Sequence, residues 1–527
     1  MTCLDMRSTA APLLVLFVLF VLFAPCVQVR AAHYPLEIIQ PQEGLDTQNR
    51  FYRAYPGLEY KVNIAVIGGA WPFRYELVKA PAGMTIDAGK GIITWPDPTT
   101  AGSPHTVSVK VIDQEGATDT HTWTVTVTRE GFLFLDAVHG KTRAEGGTGT
   151  LDNPFKTIAD WYSIKTTPES YNGKYETTYP KHFVYYKSGV YNVPDWNKHG
   201  NLPMLTGKKP NVHLAFPGHK PVIDHALSYF RYAAGRATNL YWDGFEHRHI
   251  INRERHAFSV GVGDHVTFVN NTFHGMTYKP GSKNQSAIFF VACPMRKCMA
   301  LIGNEFYDLD HGYCVLSYHT EKVVFERNAI HDIRTTAEAH HCVGLKYSSP
   351  RWFIRNNRFT DLTGNTDAIW LYFDDHYKKD VACEQVEVSY NLVLHKGKGT
   401  TLILGGGGPH YGEVWIFRNT LVGSIVHAYV NSPTDGPALM YDNVIVNPST
   451  RVKGPVRIRT RRNAPVDRVQ IRNNLVGTPD DHIVDAEGHL TGAYRKYLGS
   501  RGCELGRAAT TTEPSREGPV RRTGNDG

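Results

Sequence analysis

The stretch Arg327-Asn328-Ala329-Ile330 decides the fold, because an Asn followed two residues later by an apolar residue recurs through the C-terminal half of the chain. The pattern occurs at Asn271, Asn304, Asn328, Asn357, Asn391, Asn419, Asn443 and Asn473, with successive differences of 33, 24, 29, 34, 28, 24 and 30 residues. Asn suits a sharp bend, since it tolerates left-handed backbone angles and its amide can bond along a stack. The irregular repeat predicts an all-β fold, a right-handed parallel β-helix.

A lead-in segment marks where the β-helix begins. Phe132-Leu133-Phe134-Leu135 precedes Gly146-Gly147-Thr148-Gly149-Thr150, and Asn153-Pro154-Phe155-Lys156-Thr157-Ile158 follows. This segment resembles the entry of many polysaccharide-degrading β-helices, in which a short amphipathic helix covers the exposed end of the solenoid core. The resemblance implies a β-helix domain over residues 131–505 and a capping helix that begins near Ile158.

Residues 33–130 carry a different pattern. Val107-Ser108-Val109-Lys110-Val111 and Trp123-Thr124-Val125-Thr126-Val127 alternate apolar and polar residues, and Gly and Pro separate such runs. Period-two alternation over this length predicts a small β-sandwich. Residues 80–87 and 91–96 resemble the immunoglobulin-like modules attached to bacterial extracellular enzymes. That resemblance implies a spacer or accessory module, and we assign it no chemistry.

The two ends of the chain are predicted to lie outside both domains. Arg7, an apolar run at residues 13–23 and the small residues Ala31 and Ala32 predict a cleaved signal peptide over residues 1–32, since the run is short for a bilayer. Residues 506–527 are polar and are expected to be disordered. We expect a monomer that is secreted, periplasmic or attached to the cell surface, with no membrane span after cleavage.

The charge of the chain indicates a class of partner, and its cysteine content indicates the kind of scaffold. The formal net charge is +7 and the pI is about 8.8, with Lys and Arg scattered along the chain. This suits an anionic partner such as an acidic polysaccharide and does not resemble a nucleic-acid footprint. Six cysteines follow the signal peptide, too few for a disulfide scaffold, and we expect Cys314 and Cys342 to be buried apolar residues.

Three consecutive coils contain strands that can be aligned: Tyr313-Cys314-Val315-Leu316-Ser317-Tyr318, His341-Cys342-Val343-Gly344-Leu345-Lys346 and Asp367-Ala368-Ile369-Trp370-Leu371-Tyr372. Side chains alternate between the two faces of a strand. If Val315, Val343 and Ile369 point inward, then one outward column holds Tyr318, Lys346 and Tyr372.

This column has the residue types that elimination from a uronic acid needs. The reaction requires a base for the C5 proton, a proton donor for the leaving oxygen, and positive charge or a metal beside the carboxylate. A partly desolvated lysine can have its pKa lowered towards the working pH, and a tyrosine can donate the proton. We therefore predict Lys346 as the base and Tyr318 or Tyr372 as the acid. Outward Lys and Tyr residues are also common on solenoids without any catalytic role.

The segment from Glu338 to Ser349, which contains His340-His341-Cys342-Val343-Gly344-Leu345-Lys346, resembles the alginate and chondroitin lyases of polysaccharide lyase family six. The resemblance implies a polysaccharide lyase with Lys346 as its base, and calcium as a cofactor. The calcium ligands would be drawn from Glu338, His341 and Asp374. The sequence departs from the family where an arginine acts as the acid, because the aligned position here is Tyr372.

Further polar and aromatic residues near this region are candidate substrate contacts. Guanidinium groups can bind carboxylate or sulfate, and an indole can stack on a sugar ring. The candidates are Arg351, Arg355, His319, His340, Trp370 and His410.

Two other functions remain open at this stage. A hydrolase of the polygalacturonase type would use separated carboxylates, for which Asp310, Asp374 and Asp375 are the candidates. A β-helix can also be a non-catalytic carbohydrate-binding surface protein, because function resides in the site and not in the fold. The identity of the polymer is not predicted by these residues.

Overall fold

The computed structural model describes residues 34–41, 49–161, 183–192, 212–225, 232–233, 240–252, 258–260, 265–278, 287–310, 313–346, 349–372, 385–396, 399–405, 413–423, 426–430, 438–446, 456–460, 469–477 and 485. An N-terminal β-sandwich precedes a long parallel β-helix. The fold class is therefore the predicted one, a small immunoglobulin-like sandwich followed by a right-handed parallel β-helix.

The sandwich consists of short, mostly antiparallel strands in three groups. A two-stranded pair joins Glu37–Gln40 to Ala65–Ile67. A four-stranded sheet runs in the order Arg53–Ala54, Thr118–Val127, His105–Ile112, Arg74–Lys79, and a three-stranded sheet in the order Tyr60–Asn63, Ile92–Trp95, Thr85–Ile86. A 3-10 turn lies at Arg50–Tyr52. The buried residues of the long strands are the alternate ones, such as Trp123, Val125 and Val127.

The β-helix has three parallel sheets, which we name A, B and C. Sheet A stacks Phe132–Leu135, Phe183–Tyr186, Val212–Ala215, Tyr241–Asp243, Val266–Val269, the second halves of Ala287–Ile302 and Tyr313–Glu326, then Trp352–Arg355, Val386–Ser389, Val414–Phe417, Ala438–Tyr441 and Val469–Arg472.

Sheet B stacks Gly189–Asn192, Pro221–Asp224, Glu246–Arg248, Thr272–Tyr278, Glu305–Asp310, the first halves of Ala329–Lys346 and Arg358–Tyr372, then Leu392–His395, Thr420–Val422, Val444–Val446 and Leu475–Gly477. The short strand Ile251–Asn252 pairs with the end of Thr272–Tyr278.

Sheet C stacks Tyr232–Ala233, Phe258–Val260, the first halves of Ala287–Ile302 and Tyr313–Glu326, the second halves of Ala329–Lys346 and Arg358–Tyr372, then Leu402–Leu404, Val426–Val430 and Val456–Thr460. Four long strands thus continue around a corner from one sheet into the next. Apolar side chains from all three sheets fill one continuous interior.

The entry of the β-helix follows the predicted pattern. A 3-10 turn at Arg143–Glu145 is closed by a capping box between Thr142 and Glu145. Phe155 then bridges to the first sheet-A strand, and a helical turn at Ile158–Trp161 places Ile158 in the core. A helix therefore begins at Ile158 as predicted; the segment that follows it lies outside the described residues.

An asparagine ladder lines the turn between sheets A and B. The backbone N–H of Asn328 donates to Oδ1 of Asn357 at 2.9 Å, and its Nδ2 donates to the same oxygen and to the carbonyl of Leu301, both at 3.0 Å. The equivalent bonds join Asn271, Asn304, Asn328, Asn357, Asn391, Asn419, Asn443 and Asn474 in succession. The predicted bonding along the stack is therefore confirmed.

The last ladder position was assigned wrongly from sequence. Asn474, not Asn473, accepts from the backbone of Asn443, and Leu475 pairs with Val444. Asn473 instead takes the left-handed angle (φ 51°) that precedes each ladder residue, as Asn356 does with φ 54°. Two adjacent Asn residues fit the two positions equally well by residue type, so only the strand register distinguishes them.

The ladder predicts that two neighbouring substitutions lower the free energy of unfolding by different amounts. Asn357→Ala should lower the free energy of unfolding by about 3 kcal/mol, because it leaves buried backbone groups without partners. Asn356→Gly should change the free energy of unfolding little, since glycine adopts the left-handed backbone angle readily. Denaturant unfolding of the two variants checks this, and equal losses in both would contradict the assignment of Asn357 to the ladder.

The sandwich packs on the outer face of sheet A. Tyr390 donates to the carbonyl of Trp71 at 2.8 Å, and the two rings lie 4.4 Å apart. Lys322 pairs with Glu37 at 2.5 Å. The module is thus packed against one sheet of the β-helix, and its implied role as a spacer or accessory unit stays a prediction.

Arg355, which we predicted to bind substrate, is part of this contact. Its side chain is fully buried and donates to the carbonyls of Val66 at 3.2 Å and Gly68 at 3.4 Å. Its guanidinium also lies over the rings of Phe73 and Phe353 and near Glu326. The prediction was wrong because Arg355 faces the sandwich, where a polymer has no access.

Removing this guanidinium should weaken the contact between the domains. Arg355→Ala should lower the free energy of unfolding by about 3 kcal/mol, since a buried charge network loses its central cation. Arg358→Ala, an exposed arginine of the same coil, should change it by no more than about 0.5 kcal/mol. Chemical denaturation measures both, and an Arg355→Ala variant as stable as the control would show that the contact does not hold the domains together.

Candidate functional site

The candidate site lies on the outer face of sheet C, where four neighbouring coils carry their side chains in register. Val315, Val343 and Ile369 are fully buried in the interior, so the residues one and three positions later on each strand point outward. Two outward columns result: Leu316, Gly344, Trp370 and Ile403; and Tyr318, Lys346 and Tyr372. A third column, Tyr313, His341, Asp367 and Thr400, lies on the same face although alternation would place it inward, because Tyr313 packs with Leu316, Tyr318 and Trp370 and the His341 ring contacts Trp370. We call these residues the site face.

The predicted catalytic column is present in the structure. Tyr318 pairs with Lys346, and Lys346 with Tyr372, on consecutive parallel strands. All three side chains are half-buried. Tyr372 also packs against Trp370, with ring centroids 4.7 Å apart. The alignment made from sequence is therefore confirmed, while the chemical role of each residue stays a prediction.

Lys346 lies among aromatic rings. Its Nζ is 4.9 Å from the ring centroid of Trp370, 5.8 Å from that of Tyr313 and 6.0 Å from that of Tyr318. These ring faces stabilise the ammonium form. Burial acts in the opposite direction and lowers the pKa of the Lys346 amine below its usual value. The amine is therefore more readily neutral than that of an exposed lysine.

Gly344 makes room for this arrangement. It occupies the central column between Leu316 and Trp370, and a Cβ at this position would lie 2.6 Å from the ring of Tyr313. Tyr313 is fully buried, and burial raises the pKa of its phenol well above the usual value. The phenol is thus a neutral hydrogen-bonding group beside Lys346.

A buried polar chain supports the same aromatic cluster from the third column. The Nδ1 atom of His341 lies 2.8 Å from Oδ2 of Asp367, whose Oδ1 accepts from the backbone N–H and the hydroxyl of Thr400, both at 2.6 Å. Burial lowers the pKa of His341. Its ring centroid is 3.8 Å from that of Trp370. The chain therefore holds the indole under Lys346.

His341 was predicted as a metal ligand, and this geometry does not fit calcium. Calcium takes oxygen ligands, whereas His341 offers nitrogen and already faces Asp367. Across the described residues, no group of three or more His, Cys, Asp or Glu side chains could hold a metal ion. The other two predicted ligands, the side chain of Glu338 and the whole of Asp374, lie outside the described part of the chain.

The predicted substrate contacts are divided between different places. Trp370 is on the site face. Arg351 precedes a sheet-A strand and donates to Glu321 at 3.1 Å and Gln385 at 3.2 Å, so its guanidinium is engaged away from the site face. That position does not support the predicted contact. The side chains of His319 and His340 and the residue His410 lie outside what the structure describes.

Three residues of the site face were missed from sequence: Tyr313, Asp367 and Thr400. The same strand alignment that predicted Lys346 and its tyrosines also placed Tyr313, His341 and Asp367 at one position of three successive strands. Alternation would place these positions in the interior with Val315, Val343 and Ile369, and polar residues at predicted interior positions were the signal that could have found them.

A second polar surface lies on the outer face of sheet B. The rings of His274, Tyr307 and His331 stack with centroids 4.7 and 5.2 Å apart. Glu246 lies 3.1 Å from His274, and Glu305 lies 3.3 Å from His331. The hydrogen bond to Glu305 raises the pKa of His331. Since each imidazole has a carboxylate partner, we interpret this surface as a structural ladder between coils.

The environment of Lys346 predicts a measurable difference from Lys396. Burial lowers the pKa of Lys346, whereas a hydrogen bond to Asp361 raises that of the exposed Lys396. An amine-reactive reagent modifies the neutral form, so Lys346 should reach half of its maximal labelling rate at a lower pH than Lys396. Peptide mass spectrometry across a pH series measures both midpoints, and a Lys346 midpoint at or above that of Lys396 would contradict the described environment.

Comparisons with known proteins identify the first domain alone. Residues 45–128 match the family described as "Putative Ig domain". No curated protein matches the chain. Within the described residues, no helix is long and apolar enough to cross a membrane.

Solved structures give remote similarities. A surface adhesin of Streptococcus pneumoniae is 11% identical over 52% of this chain and 86% of its own, with a TM-score of 0.28. A lacto-N-biosidase from Eubacterium ramulus is 10% identical over 66% of this chain and 68% of its own, with a TM-score of 0.30. An Azotobacter vinelandii mannuronan C-5 epimerase module is 14% identical over 56% and 85%, with a TM-score of 0.21. Scores this low carry no argument about activity.

Proposed function

We propose that this chain is an exported polysaccharide lyase that cleaves a uronic-acid-containing polysaccharide by β-elimination on the site face of sheet C. The observation that carries the proposal is the position of Lys346. Its partly desolvated amine lies between two half-buried tyrosines of one outward column. Base and candidate acids thus share one face of the β-helix.

The chemistry follows from these groups. Neutral Lys346 removes the C5 proton of a uronate and becomes an ammonium ion, which the ring faces of Trp370 and Tyr313 stabilise. The electrons of the C5–H bond form the C4–C5 double bond, and the bond from C4 to the bridging oxygen breaks. Tyr318 or Tyr372 donates the proton that the leaving oxygen takes up. A lowered lysine pKa favours the neutral form that the first step requires.

The surroundings suit a sugar polymer with anionic groups. Trp370 and Tyr372 form a half-buried aromatic pair of the kind on which sugar rings pack. The chain carries a net positive charge of +7, which favours an anionic partner. We propose no step through calcium, because the described residues do not supply an oxygen-rich set of ligands.

The site face favours elimination over hydrolysis. Glycoside hydrolysis uses two accessible carboxyl groups on either side of the scissile bond. Among the described residues of the site face, the one carboxylate is Asp367, which is 4% exposed and engaged by Thr400 and His341. Lys346, Tyr318 and Tyr372 are half-buried and are the more accessible groups.

Replacing Lys346 tests the proposal. The purified protein should release unsaturated uronates from at least one member of a panel of uronic-acid polysaccharides, followed by ultraviolet absorbance. Lys346→Ala should reduce that rate by at least about 100-fold, as expected for loss of a general base. Lys396→Ala, which removes an exposed lysine of sheet B, should leave the rate unchanged.

Two conservative variants identify the acid. Tyr318→Phe and Tyr372→Phe each remove one hydroxyl, and the acid is the residue whose loss lowers the rate by about 100-fold or more. Unchanged thermal unfolding would show that each variant is folded. A Lys346→Ala variant as active as the unmodified protein contradicts the proposal. Binding of a polysaccharide with neither unsaturated products nor new reducing ends would instead support a non-catalytic carbohydrate-binding protein.

A further inference from the structure

Two cysteines stack inside the β-helix directly beneath the site face. Val315 pairs with Val343, so Cys314 and Cys342, one residue earlier on each strand, are neighbours on adjacent coils. Both are fully buried, and burial together with the adjacent Cys314 thiol raises the pKa of the Cys342 thiol well above its usual value. Ile288 and Ala368 continue the same interior column above and below them. The pair is therefore enclosed by apolar side chains.

The spacing of the two strands is compatible with a disulfide. Adjacent strands of a sheet lie about 4.8 Å apart. Disulfide-linked residues have Cα atoms about 4.4–6.8 Å apart. Stacked neighbours on parallel strands fall within this interval, and both side chains point into the same interior column. Both residues are thiols in the structure.

We propose that Cys314 and Cys342 are an oxidation site, at which a disulfide between consecutive coils forms while the chain folds. The two thiols give up two protons and two electrons as the Sγ–Sγ bond forms. A disulfide-containing oxidant, such as oxidised glutathione or a protein thiol oxidant, takes up both and is reduced to two thiols. This inference does not depend on the proposed lyase activity.

Burial determines when the reaction can take place. It raises the pKa of the Cys342 thiol well above the usual value, so the folded protein contains little of the reactive thiolate. The oxidant also has no path to side chains that are fully buried. The bond therefore forms before the coils close, and the finished β-helix protects both the disulfide and, in a reduced chain, the two thiols.

The bond would connect two rows of the site face. Cys314 lies four residues before Tyr318, and Cys342 lies four residues before Lys346. A link at this point fixes the strand with the base against the strand with a candidate acid. It also closes a loop with 27 residues between the two cysteines, which restricts the unfolded chain and stabilises the folded one.

The test uses the full chain, unfolded with reductant and refolded in a glutathione redox buffer. After denaturation, alkylation of remaining thiols and proteolysis, mass spectrometry should find the Cys314 and Cys342 peptides joined, with the mass of two hydrogens lost. Cys298 is buried in sheet A and serves as an internal reference that should be alkylated. Alkylation of Cys314 and Cys342 to the same extent as Cys298, or linkage of either to another cysteine, would overturn the proposal.

The stage at which the disulfide forms, and its effect on stability, are tested with the same preparation. Oxidant added to reduced, already folded protein should leave both thiols free, whereas refolding with oxidant should link them. The linked protein should unfold at a higher denaturant concentration than the reduced protein, and a Cys314→Ala, Cys342→Ala variant should show no such redox dependence. A redox-dependent shift that persists in the double variant would assign the effect to other cysteines and contradict the proposal.

Discussion

The hydrogen bond from the backbone of one ladder asparagine to the side chain of the next is the interaction on which the structure depends. It aligns each coil with its neighbours along a buried line from Asn271 to Asn474. Since side chains alternate across a strand, a slip of one residue would move every outward residue of a coil into the interior. Lys346 would then point into the core and Leu345 to solvent. The ladder thus positions the candidate site indirectly, by holding the register of strands that lie on another sheet.

The outer faces of the three sheets of the β-helix differ from one another. The sandwich covers the outer face of sheet A through Trp71, Glu37 and the carbonyls that receive Arg355. On sheet B, paired carboxylates and imidazoles bond one coil to the next. Sheet C differs, because its outward columns combine a desolvated amine, half-buried aromatic rings and a buried carboxylate–imidazole pair. A face with perturbed titratable groups and aromatic side chains is where chemistry is expected.

The fold could be predicted because its main constraint is local and repeated. One asparagine per coil marks each bend, and matching the apolar residues Val315, Val343 and Ile369 of three coils aligned Tyr318, Lys346 and Tyr372 correctly. The prediction failed where residue type alone does not decide. Asn473 and Asn474 both suit the bend, and only strand pairing separates them. Arg355 looked like a solvent-facing cation, because nothing in its coil indicates that residues 66 and 68, far away in sequence, cover it.

Cleavage at Lys346 requires that a uronate polymer binds on the site face of sheet C with a C5 atom beside the amine. A crystal structure of the Lys346→Ala variant with a bound uronate oligosaccharide tests it most directly. We expect a uronate whose C5 lies about 3 Å from the position that the Lys346 amine occupies, with Tyr318 or Tyr372 at the bridging oxygen. An oligosaccharide bound on sheet B, or across the site face with its C5 atoms remote from residue 346, would contradict it.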